Sequence, residues 1–145
     1  MKTMTKFILV CLSAIALIWL LSFLVLPAEA AQDDVMLKTF NAICKVESSN
    51  NPNAHNKKED ARGAAQIRLI MVKDVNRIVG STRYDHDDAW SRVKSYEMFK
   101  HYQKRYSNTN SPEQMARNWN GGPNGYKKSS TKTYWSKVQK EINKR

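Results

Sequence analysis

From Phe7 to Leu26 the chain carries no charged side chain, and this run of 20 residues divides the sequence into two parts suited to different solvents. A run of that length is long enough to cross a bilayer. Lys2 and Lys6 precede it, and Pro27 and Ala28-Glu29-Ala30 follow it. A basic start, an apolar centre and a small-x-small site together describe a secretory signal peptide. Residues 1–30 are therefore expected to be a leader and residues 31–145 the folded domain. A retained leader would instead tether the domain to the inner membrane. Either way the domain is expected outside the cytoplasm, in the periplasm, the cell wall or the extracellular space.

The 115 residues after the leader hold 22 basic and 12 acidic side chains, a net charge of +10. Such a balance favours an anionic polymer as partner. Export sets nucleic acid aside and leaves a wall polymer bearing carboxylates or phosphates. Cysteine usage adds a second restriction: Cys11 lies in the leader, so Cys44 has no intrachain partner. Cys44 falls in an apolar helical stripe, where a free thiol behaves as a small buried hydrophobe. His55, His86 and His101 are scattered without metal-ligand spacing and read as surface residues. No metal and no cofactor are expected.

Periodicity and punctuation make the domain mainly α, with at most a small hairpin. Met36, Phe40, Ile43 and Cys44 follow the helical spacing, which predicts a helix over 34–48. Ser49-Asn50-Asn51-Pro52-Asn53 is a dense cluster of turn formers, and the polar stretch to Arg62 reads as loop or hairpin. Further helices are expected over 66–79, stopping at Gly80, and from Asp87 or Asp88 to Tyr106. The second of these carries Trp90, Val93, Tyr96, Phe99 and Tyr102 at spacings that predict core packing. Ser111-Pro112-Glu113-Gln114 is a helix start with a capping box, and Gly121-Gly122-Pro123 is its stop. A last helix is expected over 131–143.

Glu47 is the unusual carboxylate. It stands four residues beyond Ile43, three beyond Cys44 and seven beyond Phe40, on the apolar face of its helix. Loss of hydration there raises a carboxyl pKa. A carboxylic acid kept protonated near neutral pH can give its proton to a leaving oxygen, as glycoside cleavage requires.

Four words stand in order along the chain: Glu47-Ser48 followed by Asn51-Pro52, then Gly63-Ala64-Ala65-Gln66-Ile67, then Asn118-Trp119-Asn120-Gly121-Gly122, then Tyr134 with Val138 in the last helix. Their order and spacing resemble the soluble lytic transglycosylase family of the lysozyme-like superfamily, over about residues 35–140. The resemblance implies a lysozyme-like α+β domain with a substrate cleft. It also implies cleavage of the MurNAc–GlcNAc β-1,4 bond of peptidoglycan with formation of a 1,6-anhydro ring. Glu47 would be the catalytic acid and then base. Ser48, Gln66, Asn120 and Tyr134 would bind substrate or hold the site, and Tyr134 would reach toward the Glu47 carboxyl. The expected partner is the glycan strand, bound by a monomer, with the membrane involved only through a retained leader.

Trp119 replaces the family's tyrosine, and Ala64-Ala65 replace a bulky pair, so the cleft wall is expected to be wider there. These departures keep a wall-binding protein without turnover as one alternative. Hydrolysis is the other. It commonly needs a second carboxylate, and only Glu59 and Asp60 lie in the segment that could supply one. Goose-type lysozymes, relatives with similar words, use acidic residues there, which makes Asp60 the candidate second carboxylate.

Overall fold

Helix α1 occupies residues 29–48 of a computed structural model that describes residues 29–144. The chain divides into two units, Met1–Asp34 and Val35–Arg145, and the description below concerns the second. The predicted leader lies outside the described residues except for Glu29 and Ala30. These two already belong to α1, so the helix starts earlier than the expected residue 34. The alanines and Gln32 at its start are good helix formers. The C-terminus of α1 is sharp. Ser49 and Asn50 both adopt left-handed backbone, at φ 57° and 66°. Their amides return to the carbonyls of Lys45 and Cys44 at 3.0 and 3.1 Å, which satisfies two of the orphan acceptors of the last turn.

The strands β1 (His55–Asn56) and β2 (Ala61–Arg62) pair antiparallel in the register His55↔Arg62 and Asn56↔Ala61. This is the small hairpin that the polar stretch allows. Arg62 then bridges to Ile67, closing a tight turn over Gly63-Ala64-Ala65-Gln66. Gly63 has φ 73°, and a Cβ there would lie 1.8 Å from the Ala89 carbonyl oxygen, so only glycine fits. Helix α2 (Leu69–Val79) begins after this turn. The expected start at Gln66 is therefore wrong: Gln66 is held at φ 50° inside the turn. The stop at Gly80 stands, with left-handed φ of 69°.

The segment expected as one helix from Asp87 to Tyr106 is two elements. A short 3-10 turn covers Asp87–Trp90, and α3 runs Arg92–Tyr106. Ser91 is extended between them, and its side chain accepts from the Lys94 amide to cap α3. The break takes Trp90 off the helical register. Of the predicted core series, Phe99 and Tyr102 are buried and Tyr96 is partly covered, but Val93 is 70% exposed. Helix α4 (Pro112–Gly121) is capped by Ser111 with Pro112 at its first position. The reciprocal half of the expected capping box is absent, because the Ser111 amide bonds the Asn108 carbonyl instead. Two 3-10 turns, Gly125–Lys127 and Ser129–Thr131, lead into α5 (Lys132–Ile142).

The fold is thus mainly α with one hairpin, and an aromatic column forms its core. Phe40 of α1 meets Phe99 of α3 at a ring-centroid distance of 5.3 Å, and Phe99 meets Trp119 of α4 at 5.2 Å. Fully burying each such ring stabilises the fold by about 1.5–3 kcal/mol. Truncation of Phe99 to alanine is expected to cost about 3–5 kcal/mol, since a cavity would remain. Cys44 is fully buried in this core, and burial pushes its thiol up to about 12. An uncharged, enclosed thiol of this kind is a packing residue.

Candidate active site

The left-handed stop of α1 leaves Glu47 on its last turn, at the edge of the core and not inside it. There it lines a polar pocket of about 210 Å³ together with Asn56, Glu59, Gln66, Arg68 and Asn120. The Tyr134 hydroxyl donates to Glu47 Oε1 at 2.7 Å, across 87 residues of sequence. Burial raises the Glu47 carboxyl above its ordinary value of 4.5, and the bond from Tyr134 opposes that rise. The same burial, with the carboxylate beside it, holds the Tyr134 hydroxyl well above its ordinary value and keeps it a donor. The pair is therefore a carboxyl biased toward its protonated form and a neutral phenol, and the carboxyl lines a pocket rich in amides.

A relay of buried polar contacts puts Tyr134 in place. Arg117 of α4 donates from Nε to Thr131 Oγ1 at 2.9 Å and from a terminal nitrogen to the Lys128 carbonyl at 3.0 Å. Thr131 Oγ1 also lies 2.8 Å from the Gly125 carbonyl. These bonds fasten the start of α5 to α4, and Tyr134 lies in the first turn of α5. Asn118 secures the same corner, accepting from the Tyr126 amide at 2.8 Å and donating to the Tyr106 carbonyl at 2.8 Å. Neither Arg117 nor Asn118 was singled out from sequence as a clamp, and the signal for both is burial of a polar side chain, which only the fold reveals.

The other predicted site residues divide. Asn120 is exposed on the last turn of α4 and lines the pocket. Gln66 lines it too, but its amide nitrogen is spent on the Ala54 and Gly63 carbonyls at 3.1 and 2.9 Å. The amide oxygen is the group it can offer a ligand. Ser48 is a fastener: its hydroxyl donates to the Ala64 carbonyl at 2.8 Å and ties the end of α1 to the Gly63–Gln66 turn. Asp60 is not among the residues that line the pocket. It accepts from Arg62 Nε at 3.0 Å and pairs with His55 at 2.8 Å. The bonds from Arg62 and His55 hold its carboxyl below the ordinary value. The pocket instead receives the neighbouring Glu59, which lies 3.8 Å from Arg68.

Two expectations need correction. Ala64 and Ala65 are buried at 3% and 0% exposure and do not widen the cleft wall. They lie beneath it, where the Trp119 indole donates to the Ala65 carbonyl at 3.3 Å. The two departures from the family pattern therefore meet at one point, through the bond from the Trp119 indole to the Ala65 backbone. His86 is no surface residue either. Its side chain is 9% exposed and bonds the Ile67 carbonyl at 3.0 Å.

Arg68 was overlooked in the sequence although a signal for it exists. It occupies the N-cap of α2 without a capping bond. Ser, Thr, Asp or Asn is usual there, and a cation opposes the helix dipole. A residue that breaks local preference in this way is a candidate for function.

The chain is similar to known proteins in both sequence and fold. The family model described as the transglycosylase SLT domain matches residues 25–142. Invertebrate-type lysozyme 6 of Caenorhabditis elegans is 34% identical over 112 residues, covering 67% of this chain and 80% of that protein. A chain in the crystal structure of Aeromonas hydrophila PliI in complex with Meretrix lusoria lysozyme matches with a TM-score of 0.61. Its identity is 30%, over 71% of this chain and 87% of that one.

Proposed function

The chain belongs to the transglycosylase SLT domain family of lysozyme-like, peptidoglycan-acting enzymes, and from that premise we propose that it is a lytic transglycosylase. It cleaves the MurNAc–GlcNAc β-1,4 bond, and Glu47 serves as its single acid and base. One observation carries this reading: Glu47, raised in pKa by burial, is bonded by Tyr134 at 2.7 Å at the edge of an amide-lined pocket.

Glu47 protonates the glycosidic oxygen as the bond to the sugar carbon breaks. The N-acetyl group of the same sugar supports the developing positive charge, a recognised departure from two-carboxylate cleavage. Glu47, now ionised, takes the proton of the sugar's 6-hydroxyl, whose oxygen closes the anhydro ring. Tyr134 fixes the carboxyl and stabilises its ionised form between the two transfers. Asn120 meets the sugar's hydroxyl and N-acetyl groups, because an amide both donates and accepts, and Gln66 accepts from a sugar donor through its amide oxygen.

Product mass tests the proposal, since anhydro ends weigh one water less than hydrolysed ends. Anhydro ends from the wild type, and about 10²–10⁴-fold slower release from Glu47→Gln, are the expected results. Release of wall fragments by Glu47→Gln at a rate near that of the wild type would overturn the assignment.

Hydrolysis is the second reading, and the position of Glu59 favours it. Glu59 shares the pocket with Glu47 and could activate water. Against it stands Arg68, whose guanidinium offsets the Glu59 charge at 3.8 Å. Hydrolysed ends that disappear in Glu59→Gln would establish that route. The leader is proposed to export the domain, and N-terminal sequencing of the exported protein reads whether it is removed.

A further inference from the structure

Asp60 stands in the turn of the hairpin with left-handed backbone, at φ 46°, a strained conformation that persists only where surrounding contacts hold it. Three basic side chains supply those contacts. Arg62 donates to both carboxylate oxygens, at 3.0 and 3.1 Å, and His55 Nε2 lies 2.8 Å from Oδ1. The third is His86, from the turn before α3, whose Nδ1 lies 3.5 Å from Asp60 Oδ2. On its other side His86 Nε2 is 3.0 Å from the Ile67 carbonyl oxygen. A carbonyl only accepts, so Nε2 carries a proton. The charge of the ring is then decided at Nδ1. A neutral ring turns a lone pair toward the carboxylate, and a charged ring turns an N–H toward it. The other charged groups of this corner have partners of their own. Arg62 also reaches Asp87 at 2.7 Å, Lys94 pairs with Asp88, and Arg68 lies 3.8 Å from Glu59. Asp85 accepts from the Asp88 amide at 3.0 Å.

We infer that His86 is a positioning residue: its second proton fastens the hairpin, and the hairpin places Asn56 and Glu59 in the Glu47 pocket. The inference rests on the saccharide reading of that pocket. His86 touches both parts of what it holds. Asp60 belongs to the hairpin, and Ile67 stands between Gln66 and Arg68, which line the pocket as well. Histidine changes charge between about pH 5 and 8. Asp60, held below its ordinary value by Arg62 and His55, is ionised throughout that range. The attraction between the two is therefore present at the acid end and is lost as pH rises. Its size is modest, because the Asp60 side chain is 49% exposed and water screens the pair from that side. The hairpin is held firmly in mild acid and more loosely above neutrality, where the strain at Asp60 has one contact fewer to oppose it.

Hydrogen exchange on the full-length protein reads this fastening without substrate. The Gly63 and Arg62 amides, bonded to the Ala54 and Ile67 carbonyls at 2.9 and 3.0 Å, are the reporters. Their protection is corrected for the intrinsic rise of exchange with pH. Wild-type protection is expected to fall about fivefold between about pH 5 and 8. It should stay level in His86→Gln, which keeps a donor for Ile67 but cannot titrate, and in Asp60→Asn, which removes the anion. His55→Gln should retain the fall. Level protection in the wild type would overturn the inference. So would a fall that persists in both His86→Gln and Asp60→Asn, or one that vanishes in His55→Gln alone. Steady-state kinetics on glycan strands links the hairpin to the pocket. KM should rise about fivefold over the same range in the wild type and stay flat in His86→Gln, while the alkaline limb of kcat remains in both. A wild-type KM that does not change with pH would overturn the positioning role. Failure of the proposed catalysis is recognised separately, by strand cleavage that persists in Glu47→Gln, and it leaves the exchange result standing.

Discussion

Glu47 and Asp60 are both carboxylates of the same α1-to-hairpin region, 13 residues apart in sequence. Glu47 closes a helix on its apolar side, has one neutral hydrogen-bond donor and is raised in pKa by burial. Asp60 sits in the hairpin with φ 46°, and its oxygens are taken by Arg62 and His55. The bonds to those partners lower its pKa. The first environment makes a proton donor and the second makes a fastener. Arg62, besides holding Asp60, reaches Asp87 at 2.7 Å and lies 5.9 Å from the centre of the Trp90 ring. Asp60 thus helps pin the hairpin to the turn before α3, and the hairpin in turn presents Asn56 and Glu59 to the pocket. Proximity to a cleft in sequence says little about the chemistry of a carboxylate, whereas its partners say a great deal.

The sharpest way to break this contrast is to remove each carboxylate in turn. Glu47→Gln is expected to lower wall-fragment release about 10²–10⁴-fold, the usual contribution of a general acid or base. Asp60→Asn should lower it less than about tenfold, through looser positioning of the hairpin. Equal losses would return Asp60 to the chemistry. Tyr134→Phe comes next. Losing one hydrogen bond to a charged group removes about 1.5–3 kcal/mol, or roughly ten- to a hundred-fold in kcat/KM. The bond from Tyr134 lowers the Glu47 pKa, so its removal should also move the alkaline limb of the pH–rate profile to higher pH. A limb that stays in place would separate Tyr134 from Glu47.

The smallest effect is on stability, and there the two carboxylates should differ in sign. Because the Glu47 pKa is raised on folding, the folded chain binds more protons than the unfolded one just above pH 4.5. Stability therefore falls as pH rises through that window. Glu47→Gln should raise Tm slightly at neutral pH and flatten this slope. The Asp60 pKa is lowered from 3.8, so its contribution is present above that value and is lost as pH falls through the lowered one. Asp60→Asn should remove only that acid-side loss. Thermal unfolding across pH checks both signs, and slopes of the same sign would contradict the assigned environments.

The helices were legible wherever short-range chemistry decides the backbone. Pro112 after Ser111, Gly80 after Val79 and the turn formers after Ser48 act within a few residues, and all three mark real ends. The break at Ser91 was not legible, because helical spacing from Trp90 to Tyr102 continues across it. What decides it is a serine turning from surface residue to cap. The site was partly legible for the same reason. Glu47 stood out through its position on an apolar face, and Asn120 through its motif. Arg68, Glu59 and the Arg117–Thr131 relay depend on contacts between distant segments.

Local order was therefore largely set by the sequence alone: among the described residues, the existence of five helices, the Ser111 cap and the Gly80 stop, a hairpin allowed by the polar stretch, and a carboxylate on the apolar side of a helix end. Tertiary structure alone decided which acid belongs to the pocket. It placed Tyr134 against Glu47 from 87 residues away, tied Asp60 to Arg62 and His55, and brought Glu59 to Arg68. The physical reason is that the pKa of a carboxyl depends on water excluded and on donors supplied in three dimensions. Neither can be read from its neighbours in the chain.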